Sequence, residues 1–396
     1  MICLVGCGGG TDRASSSTRD SSGIRIVTST APAWSTAAGW RVDSTPLLAV
    51  GDGARRGDPL LINVVAARFT ADGGIVIITT DDAMVRWIDM EGAVRASRGG
   101  FGEGPGEFRD LAFVGTRGDS VVLWDGQLGR VSVLTAAPGV TRTFGLQGGD
   151  TATAPAFGYA PIGLLDADRL VLAGRRGARS GERSGLRRDS IPFATASMTG
   201  TIGPVFALVP GAETVVVSTD QFVTMIPRPF GAQTAVTTDG DDVLISMGDI
   251  DEVRHYRPAS GLVRIDRVDR PRRLIAPAEI DQQGQRIGAQ TAQLPKPVAT
   301  AILGAMMEAG LPKVYPTYDR ILTDVDGNSW LREDIGSERA LDEARRWTIL
   351  DPTGSWLGQV TTPPRFELHE IRRDRILGVW REPNGGEVVQ VRRLSR

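Results

Sequence analysis

Histidine, lysine and cysteine are nearly missing from this chain of 396 residues, which has two of each. His255 and His369 are the only histidines, so a multi-histidine metal centre is excluded and little is left for general acid–base chemistry. Lys296 and Lys313 are the only lysines, and the basic charge is otherwise all arginine. The 45 basic residues are balanced by 47 acidic ones, a net charge of -2, which leaves no overall positive field for phosphates and argues against a nucleic-acid partner. No segment has the ~18 apolar residues in a row needed to span a bilayer as a helix. Both cysteines, Cys3 and Cys7, fall in the first seven residues, so the body of the chain has neither a disulfide nor thiol chemistry. What is present suffices for a core: 41% hydrophobic against 23% charged residues excludes a disordered or collagen-like chain.

The segment Leu4-Val5-Gly6-Cys7 resembles a bacterial lipobox, in which the signal is cut before a cysteine whose sulfur has been acylated. That resemblance implies Cys7 as a lipid-bearing mature N-terminus behind a truncated signal. The alternative is a frayed tail with two idle cysteines. Residues 8–22 are Gly, Ser, Thr and charge, the composition of a flexible tether. The expected division is therefore a signal and tether over 1–23 and one folded unit over 24–396. Membrane attachment is expected only through the N-terminal lipid, with the folded unit in the cell envelope, facing the periplasm or exterior.

Beyond Gly23 the chain reads as short β-branched and aromatic runs broken by Asp, Gly and Pro. Hairpin turns recur at Asp72-Gly73, Gly118-Asp119, Asp166 to Asp168, Asp239-Gly240, Asp326-Gly327 and Arg373-Asp374. A second hairpin glycine follows at Gly92, Gly139, Gly200, Gly261 and Gly354, but the last unit has none. That unit offers three strands before the chain stops, while residues 40–50 form a strand with no unit of its own. Four-stranded sheets repeated radially make a β-propeller, and the leftover strand would close its last sheet. The expected fold is all-β: a six-bladed β-propeller of four-stranded antiparallel blades, with the N-terminal strand closing the last blade. One short inserted helix is expected from Pro297, Val298, Ile302, Met306 and Gly310, packed on the ring or closing over the channel. Residues 177–190 are Arg-rich without a hydrophobic face and read as a solvated loop.

The run Gly99-Gly100-Phe101-Gly102-Glu103-Gly104-Pro105-Gly106-Glu107-Phe108 resembles the G-x-G-P-G-E-F signature of bacterial six-bladed propeller lipoproteins. Those proteins are related to NHL-repeat propellers and mostly have no assigned function. Leu311-Pro312, Tyr315-Pro316 and Tyr318, together with the ending Leu377-Gly378-Val379-Trp380-Arg381, fit the same family. The resemblance implies architecture and export, not a reaction.

Two places carry candidate chemistry. Glu103 and Glu107, between Arg98 and Arg109, could hold a cation or polar ligand on a loop joining two blades. The same residues also make an interblade turn with Phe108 as its plug, the reading that the glycines and Pro105 favour. His369, alternating with Glu367 on a first strand, could act as a channel-facing base. No nucleophile accompanies it, which favours a packed histidine. Trp124, Trp330 and Trp380 recur on second strands, as blade-packing aromatics do. No cofactor is called for. Calcium remains possible, but asparagine is confined to Asn63, Asn328 and Asn384, and no cluster of oxygen ligands is legible. The expected function is a lipid-anchored module that binds a protein, peptide or glycan. The alternative is a calcium-dependent hydrolase of the lactonase type with its site at the channel mouth.

Overall fold

The computed structural model describes residues 15–35, 39–54, 56–138, 140–148, 158–166, 168–178, 181–336 and 341–396. Short apolar runs become strands wherever an Asp- or Gly-rich turn lets the chain reverse. Ahead of the first complete sheet lie β1 (Ser16–Ser21), β2 (Ile24–Ser29) and β3 (Arg41–Val50). That sheet is β4 (Val64–Phe69), β5 (Ile75–Thr79), β6 (Met84–Ile88) and β7 (Val94–Gly99). The second is β8 (Leu111–Arg117), β9 (Ser120–Asp125), β10 (Arg130–Leu134) and β11 (Val140–Gly145).

The short β12 (Gln147–Gly148) leads to β13 (Gly158–Leu165), β14 (Arg169–Arg175), β15 (Gly185–Arg187), β16 (Ser190–Ser197) and β17 (Thr201–Pro210). Of these, β13, β14, β16 and β17 make the third antiparallel sheet, with β12 parallel on its edge. Strand β15 pairs instead with β18 (Thr214–Ser218), which pairs with β19 (Val223–Pro227) to form a three-stranded side sheet. The fourth sheet contains β20 (Ala235–Asp239), β21 (Asp242–Ser246), β22 (Glu252–Arg257) and β23 (Gly261–Val268). Helices α1 (Pro277–Thr291) and α2 (Lys296–Ala309) follow, and then the fifth sheet, β24 (Tyr318–Thr323), β25 (Ser329–Glu333), β26 (Arg345–Leu350) and β27 (Trp356–Thr362). The last sheet is β28 (Phe366–Ile371), β29 (Arg375–Arg381), β30 (Glu387–Ser395) and then β3, antiparallel to β30.

The first strands of these sheets touch in chain order, β4 to β8 to β13 to β20 to β24 to β28, and β28 returns to β4. Closure is written in the core as well. Leu48, Val50 and Leu61 pack with Ile75 and Ile77 of the first sheet and Leu377, Val379 and Val391 of the last. Each other adjacent pair of sheets shares its own buried cluster, such as Ala66 and Val85 with Leu123, or Leu368 and Ile376 with Trp330. Trp40, at the approach to β3, stacks on Trp330 with ring centroids 5.4 Å apart. The side sheet lies outside this cycle, where Val215 and Val217 pack on Ile302 and Ala305 of α2.

Three expectations change. The tether does not extend to residue 23, because β1 pairs with β2, and β2 lies parallel to β23 on the edge of the fourth sheet. Two helices, not one, fill the insertion. The second is the expected one and ends at Gly310, whereas α1 was hidden because it is polar and buries only Thr291. The stretch 177–190 is not simply a solvated loop, since β15 joins the side sheet and Arg187 pairs with Glu182 and Asp189. Cys3, Cys7 and Gly139 lie outside the described residues.

Candidate functional site

The cycle of first strands encloses a cavity of about 470 Å³ on its axis. Every one of those strands lines it: Arg68 from β4, Phe113 and Thr116 from β8, Ile162 from β13, Thr237 and Thr238 from β20, Arg320 from β24, and His369 and Glu370 from β28. Radial repetition makes this inevitable, since the inner strand of each sheet has one edge without a ladder partner and turns it to the axis.

Arginine dominates the charge there. Arg68 lies over the Phe113 ring at 4.7 Å, and its Nη1 donates to the Ala67 carbonyl at 2.9 Å. Among the described residues it has no carboxylate partner. Burial lowers its pKa, while Glu370 pulls the other way. Arg320 pairs with Glu367, a carboxylate that it shares with Arg332. Arg332 and Arg345 divide Asp319, each at 2.6 Å. Burial, then repulsion from Arg332 and Arg68, push Arg320 down to about 9. Too few carboxylates serve these guanidinium groups, and the low dielectric of the ring magnifies the imbalance.

His369 belongs to this cavity, but as an acceptor. A bulge between Leu368 and Glu370 breaks the alternation of β28, and His369 Nδ1 accepts from the Ala67 N–H at 3.0 Å. Burial first, then Arg320, Arg68 and other guanidinium groups, hold its pKa well below the ordinary value, so the ring is neutral. Its basic nitrogen is therefore occupied by the backbone. Glu367 is bonded to Arg332 at 2.6 and 2.7 Å and pairs with Arg320.

The other sequence candidates gather elsewhere, on the 98–109 segment, and none of them lines the cavity. Arg98 donates to the carbonyls of Ala136 and Ala137 in the turn after β10. Arg109 and Glu103 form an exposed pair at 2.9 Å. Glu107 folds back to accept from the Gly104 N–H at 2.9 Å. Arg130 ties the loop from below, donating to the carbonyls of Glu103, Gly104 and Glu107. Phe108 is fully buried between the first two sheets. This loop is a braced turn whose charges are engaged within it.

Arg68 and Arg320 were not singled out from sequence. The available signal was an arginine on a first strand, where a packed ring favours small or apolar side chains. A larger cavity, about 520 Å³, lies under α1 and α2 with Ile226, Phe230, Ile287 and Met306 in its walls. Its guanidinium, Arg228, pairs with Glu213 and donates to the carbonyls of Ala309 and Gly310.

Among the described residues no group of three or more His, Cys, Asp or Glu side chains is placed to hold a metal ion. The axial acids are engaged otherwise, Glu370 by the Phe69 N–H at 2.7 Å and by Arg372. No helix is long and apolar enough to cross a membrane, counting the described residues.

No family model and no curated protein matches the chain. Among solved structures, it is similar to a member of the DUF4221 family from Bacteroides vulgatus, with 9% identity over 90% of this chain and 99% of the other and a TM-score of 0.51. A protein of Bacteroides fragilis thought to be exported aligns with 9% identity over 94% of this chain and 100% of the other, at a TM-score of 0.48. The β-propeller domain of a Myceliophteria thermophila protein aligns with 12% identity over 87% of this chain and 99% of the other, at a TM-score of 0.37. At such identities the likeness is one of fold. With four-stranded antiparallel sheets closed into a cycle around an axial cavity, the chain is a β-propeller.

Proposed function

We propose that this chain is a six-bladed propeller, held outside the cytoplasm by a lipid on Cys7, that binds a protein, peptide or glycan at its axial cavity. The observation that carries the reading is the cavity itself, to which every first strand contributes a wall. Six blades are supported by the cycle of first strands, with the side sheet counted as an insertion because it packs on α2. The Gly-Pro-Gly-Glu-Phe turn supports kinship with the NHL-like lipoproteins, and the exported neighbour is in keeping with an envelope address. Binding is preferred to turnover because the one axial histidine is neutral and bonded to backbone. The calcium-hydrolase alternative needs six to eight converging oxygens, and the axial acids face arginines and amides instead.

Thr116 is exposed and lines the cavity, so Thr116→Trp fills the seat without removing a polar partner of the ring. Calorimetry against envelope glycans and peptides is expected to show a ligand for the native chain that the variant loses. A ligand retained by Thr116→Trp places the seat elsewhere. For the anchor, Cys7→Ala is expected to move the protein from the membrane to the soluble fraction. A native protein that is already soluble and carries no lipid by mass spectrometry removes that part of the reading.

A further inference from the structure

The geometry points to an anion seat inside the cavity, in which the guanidinium groups of Arg68 and Arg320 and the Nε2–H of His369 receive a carboxylate, sulfate or phosphate group. The inference rests on the binding reading above and names the class of ligand.

Its strongest element is the histidine. Because Nδ1 accepts from Ala67, the proton of the neutral ring sits on Nε2. The side chain is only 5% exposed, yet Nε2–H has no acceptor among the described residues. The residue lines the cavity, which is where a ligand could accept from this donor.

The second element is Arg68, which reaches the same cavity from the neighbouring strand. It offers a fork of donors of which, among the described residues, only Nη1 is bonded, to Ala67 O, and its Cζ lies 4.7 Å from the centroid of the Phe113 ring. Arg320 arrives from the strand on the other side of β28, so the two cations flank the histidine. Glu367 does not cancel Arg320, because it also receives Arg332. The hydroxyls of Thr116, Thr237 and Thr238 complete a rim that can serve the uncharged part of a ligand. Planar forks favour oxyanions with paired oxygens, and a desolvated cation pair gains most from an anion that enters it.

The chain's two histidines make the test direct, since the imidazole ¹⁵N signals of His369 and His255 can be told apart. The probes are sodium sulfate, inorganic phosphate and galacturonate, each against galactose, at low and constant ionic strength. At least one anion is expected to shift His369 Nε2 and leave His255 unmoved, and the one that binds tightest tells sulfated, phosphorylated and carboxylated ligands apart. Arg68→Gln is expected to weaken that anion about tenfold or more, whereas Arg109→Gln on the outer loop leaves it unchanged. Silence of His369 toward all three anions overturns the proposal, as does equal affinity in Arg68→Gln. If a neutral glycan or peptide binds the native chain and not Thr116→Trp while every anion is silent, the binding reading stands and the anion seat falls. If nothing binds, both fall.

Discussion

The Nδ1 atom of His369 accepts a hydrogen bond from the Ala67 N–H at 3.0 Å, across the seam where the last sheet meets the first. It is one of a series along β4. The Val64 N–H is met by Glu387 at 2.6 Å, and the Phe69 N–H by Glu370 at 2.7 Å. Side chains of the last sheet thus supply acceptors that an edge strand would otherwise lack, which closes the ring without a continuous ladder.

His369→Asn keeps an acceptor near the Nδ1 position, whereas His369→Phe leaves the buried Ala67 N–H unpaired. The second is expected to cost about 1–3 kcal/mol more than the first in denaturant unfolding. Equal stability of the two variants would mean that the seam bond contributes nothing.

The two histidines should respond to pH in opposite senses. His369 is depressed from its ordinary value of 6.5, so its contribution is full above about pH 6.5 and is lost as the pH falls toward the folded value. His255 is raised from 6.5: burial pulls it down, but its carboxylate neighbours Asp242 and Asp266 prevail. Its contribution is full below about pH 6.5 and is lost as the pH rises through the folded value. Melting curves over this range are expected to lose their acid-side decline in His369→Asn and their alkaline-side decline in His255→Gln. Unchanged profiles would contradict both assignments.

Asp266 is 1% exposed and accepts from His255 at 2.8 Å and from Arg264 at 2.7 Å. Asp266→Ala leaves Arg264 without its carboxylate and His255 with only Asp242, and is expected to cost about 3–5 kcal/mol. A Cβ on Gly354, where φ is +93°, would stand 2.1 Å from Asp266 Oδ1, so Gly354→Ala is expected to destabilise the same junction of the fourth and fifth sheets. Urea titrations measure each, and a loss below about 1 kcal/mol in both would refute the network's role.

Removal of residues through Gly23 takes away β1, which is mostly exposed and pairs with β2. The melting temperature is expected to change little. Removal through Gly51 also takes β2 from the edge of the fourth sheet and β3, with Leu48 and Val50 from the closing core, and is expected to lower it by about 10 °C or more, or to cause aggregation through the bared β30 edge. Equal melting of the two truncations would show that β3 does not hold the ring shut.

On the outer loop, Arg130→Ala removes the donor to three carbonyls and is expected to cost about 2 kcal/mol, against less than about 0.5 for Glu103→Ala, whose pair with Arg109 is exposed. Reversal of that order by thermal melting would return the loop to consideration as a ligand site.

The turns and the shared last sheet were legible because each depends on local chemistry. Gly73, Gly240 and Gly327 take positive φ where hairpins require it, and runs such as Ile75–Thr79 leave no other element. The unmatched strand at 41–50 was legible by counting, and β30 is where it pairs. Helix α1 was not legible, since its composition is mostly polar and it buries only Thr291. Nor was the pairing of β2 with β23, which joins residues far apart in the chain that carry no mark of one another.

The sequence by itself determined the β class, the repeat and the closing strand, because turn preference and alternation act within a few residues. Only the tertiary structure assembles the proposed site. Arg68, Arg320 and His369 are neighbours solely because β4, β24 and β28 lie side by side around the axis. The bulge that turns His369 to Ala67, and the sharing of Glu367 that leaves the arginines in excess, arise from packing between sheets that no local pattern encodes.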